Sequence, residues 1–437
     1  MRYLRELLYL QPGELGRAWP FFGLYLMLFG AFSLADGLSL ALFVEELGSE
    51  YLPRYYGITA GVNLVLIAVY VLVAERVGSL RMFEAILGAV LVVYLLAWLV
   101  LTHYQGKPEW YGALFVAREV AFTLVLMHFG TYLQKYFSRD ELNRVLPTIY
   151  AGGRVGGIAG GAILQHLSAS LGPLNLVPIF LGICLVCLIA MEVISRSVRS
   201  SITPEDDRSE PAAQAGDLEG AARTSLGGFL RFVWASPLLF WTSVSSALFM
   251  TARWFLNYRY NVYFGEIFDG PTEMAAFLGR YTQIALILSL LIQLLVVNRL
   301  VARLGAGGAY LGYAGLVFVG SLVCIPTMTM ATALFARFLE TELRLGLRNP
   351  LMQMITNSFS RPLRLRVRAW TMGLLTPMGT GLASAVLGTL AYLGAGAWAG
   401  WFGGGVGLAF LLSAVGLQRG FEVGRPPARG EREPRTE

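Results

Sequence analysis

Charged residues are scarce in this sequence, and so are the side chains that most often carry out chemistry. Asp, Glu, Lys and Arg make up 14% of the 437 residues, whereas soluble globular proteins have about 25%. There are three cysteines and three histidines, and none of them joins carboxylates at the spacing of a metal site. No nucleophile elbow occurs. We therefore expect neither an enzyme nor a cofactor.

Long apolar runs are what the sequence has in abundance. Hydrophobic residues make up 56% of the chain and the mean hydropathy is +0.59. A mostly apolar run of about 18 residues or more is long enough to cross the hydrocarbon core of a bilayer. The pattern predicts an all-α polytopic membrane protein with twelve transmembrane helices. The predicted spans are 19–44, 57–74, 82–103, 110–135, 147–168, 174–195, 237–261, 275–297, 308–326, 330–356, 368–392 and 397–417.

A polar segment divides these spans six and six. Residues 196–226 include TPEDDRSEPAAQAGDLEG and have too little apolar content to pack, so we expect a flexible cytoplasmic linker. It separates an N-terminal half, 1–195, from a C-terminal half, 227–418, and residues 419–437 are expected to form a disordered cytoplasmic tail. Twenty-four of the 34 Lys and Arg residues fall on one side. This asymmetry predicts cytoplasmic termini in a bacterial-type inner or plasma membrane, with no nucleic-acid partner.

The second half looks like a copy of the first. Pro20 and Pro237 open spans 1 and 7 and are 217 residues apart. The string Ala-Leu-Phe recurs after 220 residues, and Arg144-Val145 matches Arg366-Val367 after 222. Because each copy has six spans, both copies have the same orientation, which is the parallel repeat of major facilitator transporters.

Short motifs strengthen this resemblance. The stretch AERVGSLR, between spans 2 and 3, resembles the major facilitator loop motif. Its motif residues are Glu75, Arg76, Gly78 and Arg81. GSEYLPRYYGITA (48–60), YFSRDELNRVLPTIYAGGRVGGIAGG (136–161) and the LRNPLMQ...RLRVRAW region resemble the nucleotide transporter (ATP:ADP antiporter) branch. The resemblance implies that spans 1, 4, 7 and 10 line a central cavity and that spans 5 and 11 lie at the seam between the halves.

The stretch AGGRVGGIAGGA, 151–162, contains three glycine pairs. It has neither the dinucleotide pattern GxGxxG nor the Gly-Lys-Ser/Thr ending of a P-loop. Its spacing of four residues instead predicts two small-residue ridges on span 5 that let another helix approach closely. The glycines are Gly152, Gly153, Gly156, Gly157, Gly160 and Gly161. Arg154, within the run, is either a cytoplasmic gate residue or a residue that extends to the headgroups.

Span 10 contains an unusual set of charges for a membrane helix. Charged groups are costly inside a membrane and usually face a cavity or a partner. Arg337, Glu340, Arg344 and Arg348 fall within an arc of about 80° on an α-helix, with Glu342 off that face. Glu340 and Arg344 are four residues apart and are expected to pair. The surplus of arginine favours an organic anion, because a guanidinium binds carboxylate or phosphate through two hydrogen bonds. The alternative is a purely structural network.

Four further residues join this predicted substrate site. They are Arg118 and Glu119 on span 4, which is the repeat counterpart of span 10, and Asn257 and Tyr260 on span 7. If transport is coupled to protons, the candidate carriers are the carboxylates of Asp36, Glu119 and Glu340.

The repeat also predicts a gate. Asp36 and Arg253 each lie sixteen residues after the proline that opens their span. Two equivalent helices thus carry opposite charges at matching depth. We hypothesise that the two residues pair across the outer end of the cavity when it is closed to the outside. The alternative is that each has a neighbour in its own half.

Together these features predict a secondary active transporter that moves a small organic anion by alternating access. Nucleotides and other phosphate-bearing solutes are candidates, driven by exchange or by protons, and membrane lipids are the surrounding partner. One alternative is a lipid, lysolipid or hydrophobic-solute transporter, since aromatic residues make up 13% of the chain. An alternative of another class is a membrane sensor or partner subunit that transports nothing.

Overall fold

The computed structural model describes residues 14–74, 76–104, 107–137, 139–198, 225–325, 328–359 and 361–423. Helices make up nearly all of this part of the chain, which contains no β-strand. The α-helices are α1 Glu14–Leu42, α2 Leu52–Ala74, α3 Ser79–His103, α4 Glu109–Leu133, α5 Arg139–Leu171, α6 Val177–Ser197, α7 Leu226–Ala235, α8 Pro237–Ile267, α9 Pro271–Ile292, α10 Asn298–Val323, α11 Met330–Phe338, α12 Asn349–Asn357, α13 Arg361–Arg368, α14 Thr376–Tyr392 and α15 Ala399–Val423.

Four π-helical stretches extend or join these helices. Phe43–Leu47 extends α1, and Gln293–Val297 joins α9 to α10. Leu339–Arg348 joins α11 to α12, and Ala369–Leu375 joins α13 to α14. A π-helix has more residues per turn than an α-helix, so it changes which side chains share a face. Predicted spans 10 and 11 both contain such a stretch.

Each of the twelve predicted spans coincides with helical structure. In the described part of the chain, nine helices are long and apolar enough to cross a membrane, or ten when α7 and α8 count as one bent span. The two that fall short are α5 and the helix formed by α11, its π-stretch and α12. The former is rich in glycine and the latter in charge. The chain is thus an all-α polytopic membrane protein, and the count of twelve spans stays a prediction.

The helices extend beyond several predicted boundaries. The linker was expected to cover 196–226, but α6 continues to Ser197 and α7 begins at Leu226. The tail was expected from 419, but α15 continues to Val423. Both differences have one cause, because a helix continues into polar sequence as long as nothing breaks it. The rest of the linker and tail, and Glu75 of the loop motif, lie outside the described residues.

The described residues form two compact units. The first contains 14–198 and 261–290, and the second contains 225–260 and 291–423, with the gaps given above. Helix α8 therefore contributes to both. The first unit includes α9, which sequence order had assigned to the C-terminal half, and the predicted division into two halves stays a prediction.

Glycines allow α1 and α5 to pack closely in the first unit. A Cβ atom at Gly152 would lie 2.5 Å from a main-chain oxygen of α1, and one at Gly156 or Gly160 would also meet α1 main-chain atoms. Gly153 faces the ring of Tyr25. In lipid, small residues permit this approach, and the close packing itself stabilises the pair.

The neighbouring ridge of α5 faces α9. A Cβ atom at Gly161 would lie 2.8 Å from the main-chain oxygen of Gly279, and Gly157 faces a leucine of α9. One turn along, the amide of Gln283 donates to the side-chain oxygen of Gln165 at 2.6 Å. The glycine run is therefore a helix-packing surface on two sides.

Candidate functional site

A buried ion pair joins α8 to the π-stretch of 339–348 in the second unit. Arg253 Nε donates to Glu340 Oε1, and Tyr260 Oη donates to Glu340 Oε2 at 3.0 Å. Asn257 Nδ2 donates to Tyr260 Oη at 2.5 Å. The three α8 residues lie at intervals of three or four, so they share one face of that helix. That face presents a polar chain which ends on the Glu340 carboxylate.

This cluster is deeply buried. The side chains of Arg253 and Glu340 are 6% and 0% exposed, and Tyr260 is fully buried. Taking two charges out of water costs several kcal/mol for each ion, and only good geometry with further hydrogen bonds offsets that cost. The Tyr260 hydroxyl supplies such a bond. The pair thus holds two helices of the unit together while keeping two charged groups inside it.

Three more arginines surround this pair. Arg337 is 2% exposed, and its guanidinium lies 5.5 Å from the centre of the Tyr260 ring. Arg344 Nε donates to the main-chain oxygen of Glu340 at 2.9 Å. The guanidinium of Arg348 lies 3.8 Å from the centre of the Phe249 ring. Stacking on aromatic rings lets a guanidinium remain charged in apolar surroundings.

The π-stretch explains a difference from the sequence prediction. Arg344 was expected to pair with the Glu340 carboxylate, but the structure gives that carboxylate Arg253 and Tyr260 as partners. Glu342, expected to lie off the charged face, is 8% exposed. Wider turns rotate the residues after 339 away from their α-helical positions. The spacing in the sequence does not reveal such a stretch.

The first unit has a second, smaller cluster. Arg118 on α4 forms ion pairs with Asp36 on α1 and, at 3.1 Å, with Glu119. Glu119 is 6% exposed, whereas the side chain of Asp36 is 27% exposed. One arginine here contacts two carboxylates. Arg118 and Glu119, predicted as substrate residues, thus lie beside Asp36 of the predicted gate.

The predicted gate pair has other partners in this structure. Asp36 forms an ion pair with Arg118 in the first unit, and Arg253 forms one with Glu340 in the second. This is the alternative arrangement that the sequence left open. A pair between Asp36 and Arg253 stays a prediction.

The remaining predicted residues lie outside these clusters. Arg76, Gly78 and Arg81 of the loop motif are exposed around the start of α3. Arg154 is half-buried on α5. Among the described residues no group of His, Cys, Asp and Glu is arranged to hold a metal ion.

Sequence reasoning missed two ion pairs between α1 and α5. Arg144 Nη2 donates to the buried carboxylate of Glu14 at 2.6 Å, and Arg17 Nη1 donates to Glu141 at 3.0 Å. The signal was present as opposite charges at the start of both helices. These charged residues lie outside the apolar spans, where the sequence gives no reason to choose one ion-pair partner over another.

Comparison with solved structures places this fold among known proteins. A mutant of the nucleoside transporter NupG is similar with a TM-score of 0.61 and 13% identity, covering 93% of this chain and 99% of that one. An auto-inhibited POT family peptide transporter gives a TM-score of 0.61 at 11% identity, covering 97% and 99%. The fucose:proton symporter FucP of E. coli gives 0.52 at 14% identity, covering 90% and 97%.

These similarities confirm the predicted fold. The chain has the fold of major facilitator transporters. A scan against models of protein families found no match, and neither did a search of curated proteins. The neighbours are described as transporters of different small molecules, and at this low identity the likeness shows the fold alone.

Proposed function

We propose that this protein is a secondary active transporter that works by alternating access and carries a small organic anion. The observation that supports it best is the arginine cluster of the second unit, in which Arg253 and Arg337 are buried, in a chain with the major facilitator fold. Positions 253 and 337–348 supply four arginines and two glutamates. Buried charge of this kind is expensive in a membrane protein, and it usually marks the path of a solute or an ion.

The cluster suits an anion with several oxygen atoms. Arginine remains charged when buried, and its planar group matches carboxylate or phosphate with two parallel hydrogen bonds. The Arg253–Glu340 pair is balanced within itself, and the remaining three arginines outnumber the one remaining glutamate, Glu342, so the cluster has an excess of positive charge. A nucleotide or another phosphate-bearing solute fits this surplus, as the resemblance of the sequence suggests.

The location, orientation and driving force that we propose are argued mainly from the sequence. The asymmetry of basic residues supports an inner or plasma membrane of bacterial type with both termini on the cytoplasmic side. Either the exchange of one anion for another or the coupling of transport to protons would supply the driving force. The Asp36–Arg118–Glu119 cluster offers two carboxylates that a coupling proton could bind.

Thermal unfolding of the purified protein with a panel of solutes tests the proposal. The panel contains nucleotides, sugar phosphates, dicarboxylates, lysolipids and neutral solutes. A ligand at 100 times its dissociation constant stabilises the folded state by about 2.7 kcal/mol. We expect one anion class to raise Tm, and we expect Arg337→Gln to weaken its binding about 10- to 150-fold because one charged hydrogen-bond donor is lost.

Arg280→Gln is the matched control, since Arg280 is exposed on α9, and it should leave ligand binding unchanged. The anion that raises Tm should then exchange across the membrane of proteoliposomes that contain the protein, and Arg337→Gln should slow that exchange. Stabilisation by lysolipids alone, equal in the Arg337 variant, would instead indicate a lipid carrier. A protein that binds an anion but moves none across the membrane would point to a sensor.

A further inference from the structure

The second unit has two short helices at the ends of its membrane spans. Helix α7 is bent by 96° from α8, and the two together are apolar enough to form one broken span. If α8 crosses the membrane, a helix almost perpendicular to it lies along the membrane plane. Helix α13 leads through the π-stretch 369–375 into α14, whose residues also belong to a span.

One hydrogen bond joins α7 to α13, and a ring contact joins α7 to the π-stretch that follows α13. Arg366 Nη1 donates to the main-chain oxygen of Ser225, the residue that caps α7, at 3.2 Å. The ring of Phe229 on α7 packs edge-on against Trp370, with the ring centres 5.9 Å apart. Trp370 in turn donates to Ser243 Oγ of α8 at 2.9 Å. We name residues 225–235 and 361–368 the α7–α13 platform.

The platform has a buried apolar side. Phe229 and Val233 of α7 are 4% and 5% exposed, and Leu363 and Val367 of α13 are 1% and 0% exposed. Residues three or four apart lie on the same side of a helix, so these pairs anchor both helices to the unit.

Its other side combines apolar and basic groups. On α7, Trp234 is 75% exposed, Leu230 is 37% exposed, and Arg231 beside them is also exposed. On α13, Arg364, Arg366 and Arg368 are partly exposed. Interfacial helices typically present tryptophan and leucine to the acyl chains and arginine to the headgroups.

The sequence around the platform contains no acidic residue. Residues 221–265 have neither Asp nor Glu, and residues 343–421 have none either. The second of these stretches contains seven arginines, four of them within α13. Such a surplus next to a membrane span attracts anionic lipid, with about 1 kcal/mol for each basic residue near the surface. The positive-inside asymmetry requires only that basic residues lie on one side of the membrane. The platform also exposes Trp234 and Leu230 on a helix that lies along the membrane.

We infer that the α7–α13 platform binds the phosphate headgroups of anionic phospholipids. The guanidinium groups of Arg231, Arg364, Arg366 and Arg368 contact the phosphate, while Trp234 and Leu230 enter the adjoining acyl region. This binding fixes the entry of α8 and α14 into the bilayer. It does not depend on which solute the protein carries.

Titration of short-chain phosphatidylglycerol into the detergent-purified full chain tests this inference, with Tm as the readout. Phosphatidylglycerol should raise Tm and phosphatidylcholine should not. The triple variant R364Q/R366Q/R368Q should shift the half-saturating concentration on the order of 100-fold, at about fivefold for each arginine. R364K/R366K/R368K keeps the charge and should stay close to the wild type. R299Q/R303Q, which removes two exposed arginines elsewhere, is the matched control.

Further measurements separate phospholipid binding from the binding of free phosphate and from general effects of lipid. Arg231→Gln alone should shift the midpoint about fivefold, and it serves if the triple variant does not fold. Equal effects of the two lipids, or a midpoint that the glutamine variants leave unchanged, would overturn the inference. Stabilisation by soluble glycerol phosphate through the same arginines would also overturn it, because the site would then recognise free phosphate.

Discussion

Breaking the Arg253–Glu340 ion pair tests the electrostatic structure of the second unit most directly. Both side chains are almost fully buried, so neither can regain water when its partner is removed. Removing one member of a buried pair destabilises a protein by about 3–5 kcal/mol. We therefore expect Arg253→Met and Glu340→Met each to cost about that much.

The double variant should be far less damaged than the sum of the two single variants. With both charges gone, two methionines of similar length fill the space, and replacing a buried pair by apolar groups is often neutral. Tm changes by about 2–4 °C for each kcal/mol in a domain of 150–250 residues. The single variants should thus lose about 6–20 °C, and the double variant only a small part of this.

Thermal unfolding in one detergent at a fixed heating rate measures all four proteins. Arg280→Gln, which removes an exposed arginine, provides the reference for loss of a charge without burial. If the double variant unfolds at the temperature expected from adding the two single losses, the two residues are not coupled. The buried ion pair would then not be what holds α8 to the π-stretch.

Two further predictions concern the first unit. Gly156→Ala should lower Tm strongly, because the added Cβ would meet the main chain of α1, whereas Gly182→Ala has open space and should be neutral. Arg118→Gln should lower Tm more than Asp36→Asn, since it removes the cation from two carboxylates, Asp36 and Glu119, rather than one carboxylate from a shared cation. Equal losses in either comparison would contradict the packing or the charge arrangement described above.

The fold could be predicted from the sequence because its main determinants are local. A run of apolar residues forms a helix in lipid whatever surrounds it, since every main-chain group must be satisfied within the segment. The glycine spacing in 151–162 similarly indicates a packing surface without reference to the partner. Which helix packs there is not local information, and α9 could not have been chosen from the sequence alone.

The sequence singled out the charged residues of the cluster but not their pairing. Tyr260, Arg337 and Glu340 were predicted as substrate residues and lie in one cluster, whereas Arg253, which joins them there, was predicted as a gate residue. The partner of Glu340 was not predictable, because the π-stretch changes the spacing on which the expected pair with Arg344 depended. A π-stretch depends on how neighbouring helices pack, and this information is absent from the spacing of charges.

The two ion-pair clusters correspond at the offset of the predicted repeat but have opposite polarity. Asp36 and Arg253 are 217 residues apart, and Glu119 and Glu340 are 221 apart, within the range of offsets that relates the two halves of the sequence. The pair joins predicted span 1 to predicted span 4 in the first unit and predicted span 7 to predicted span 10 in the second. The carboxylate belongs to span 1, whereas the arginine belongs to span 7. If the protein carries an anion, as we propose, we therefore expect the arginines of the second unit to hold it and the carboxylates of the first unit to hold a coupling cation such as a proton.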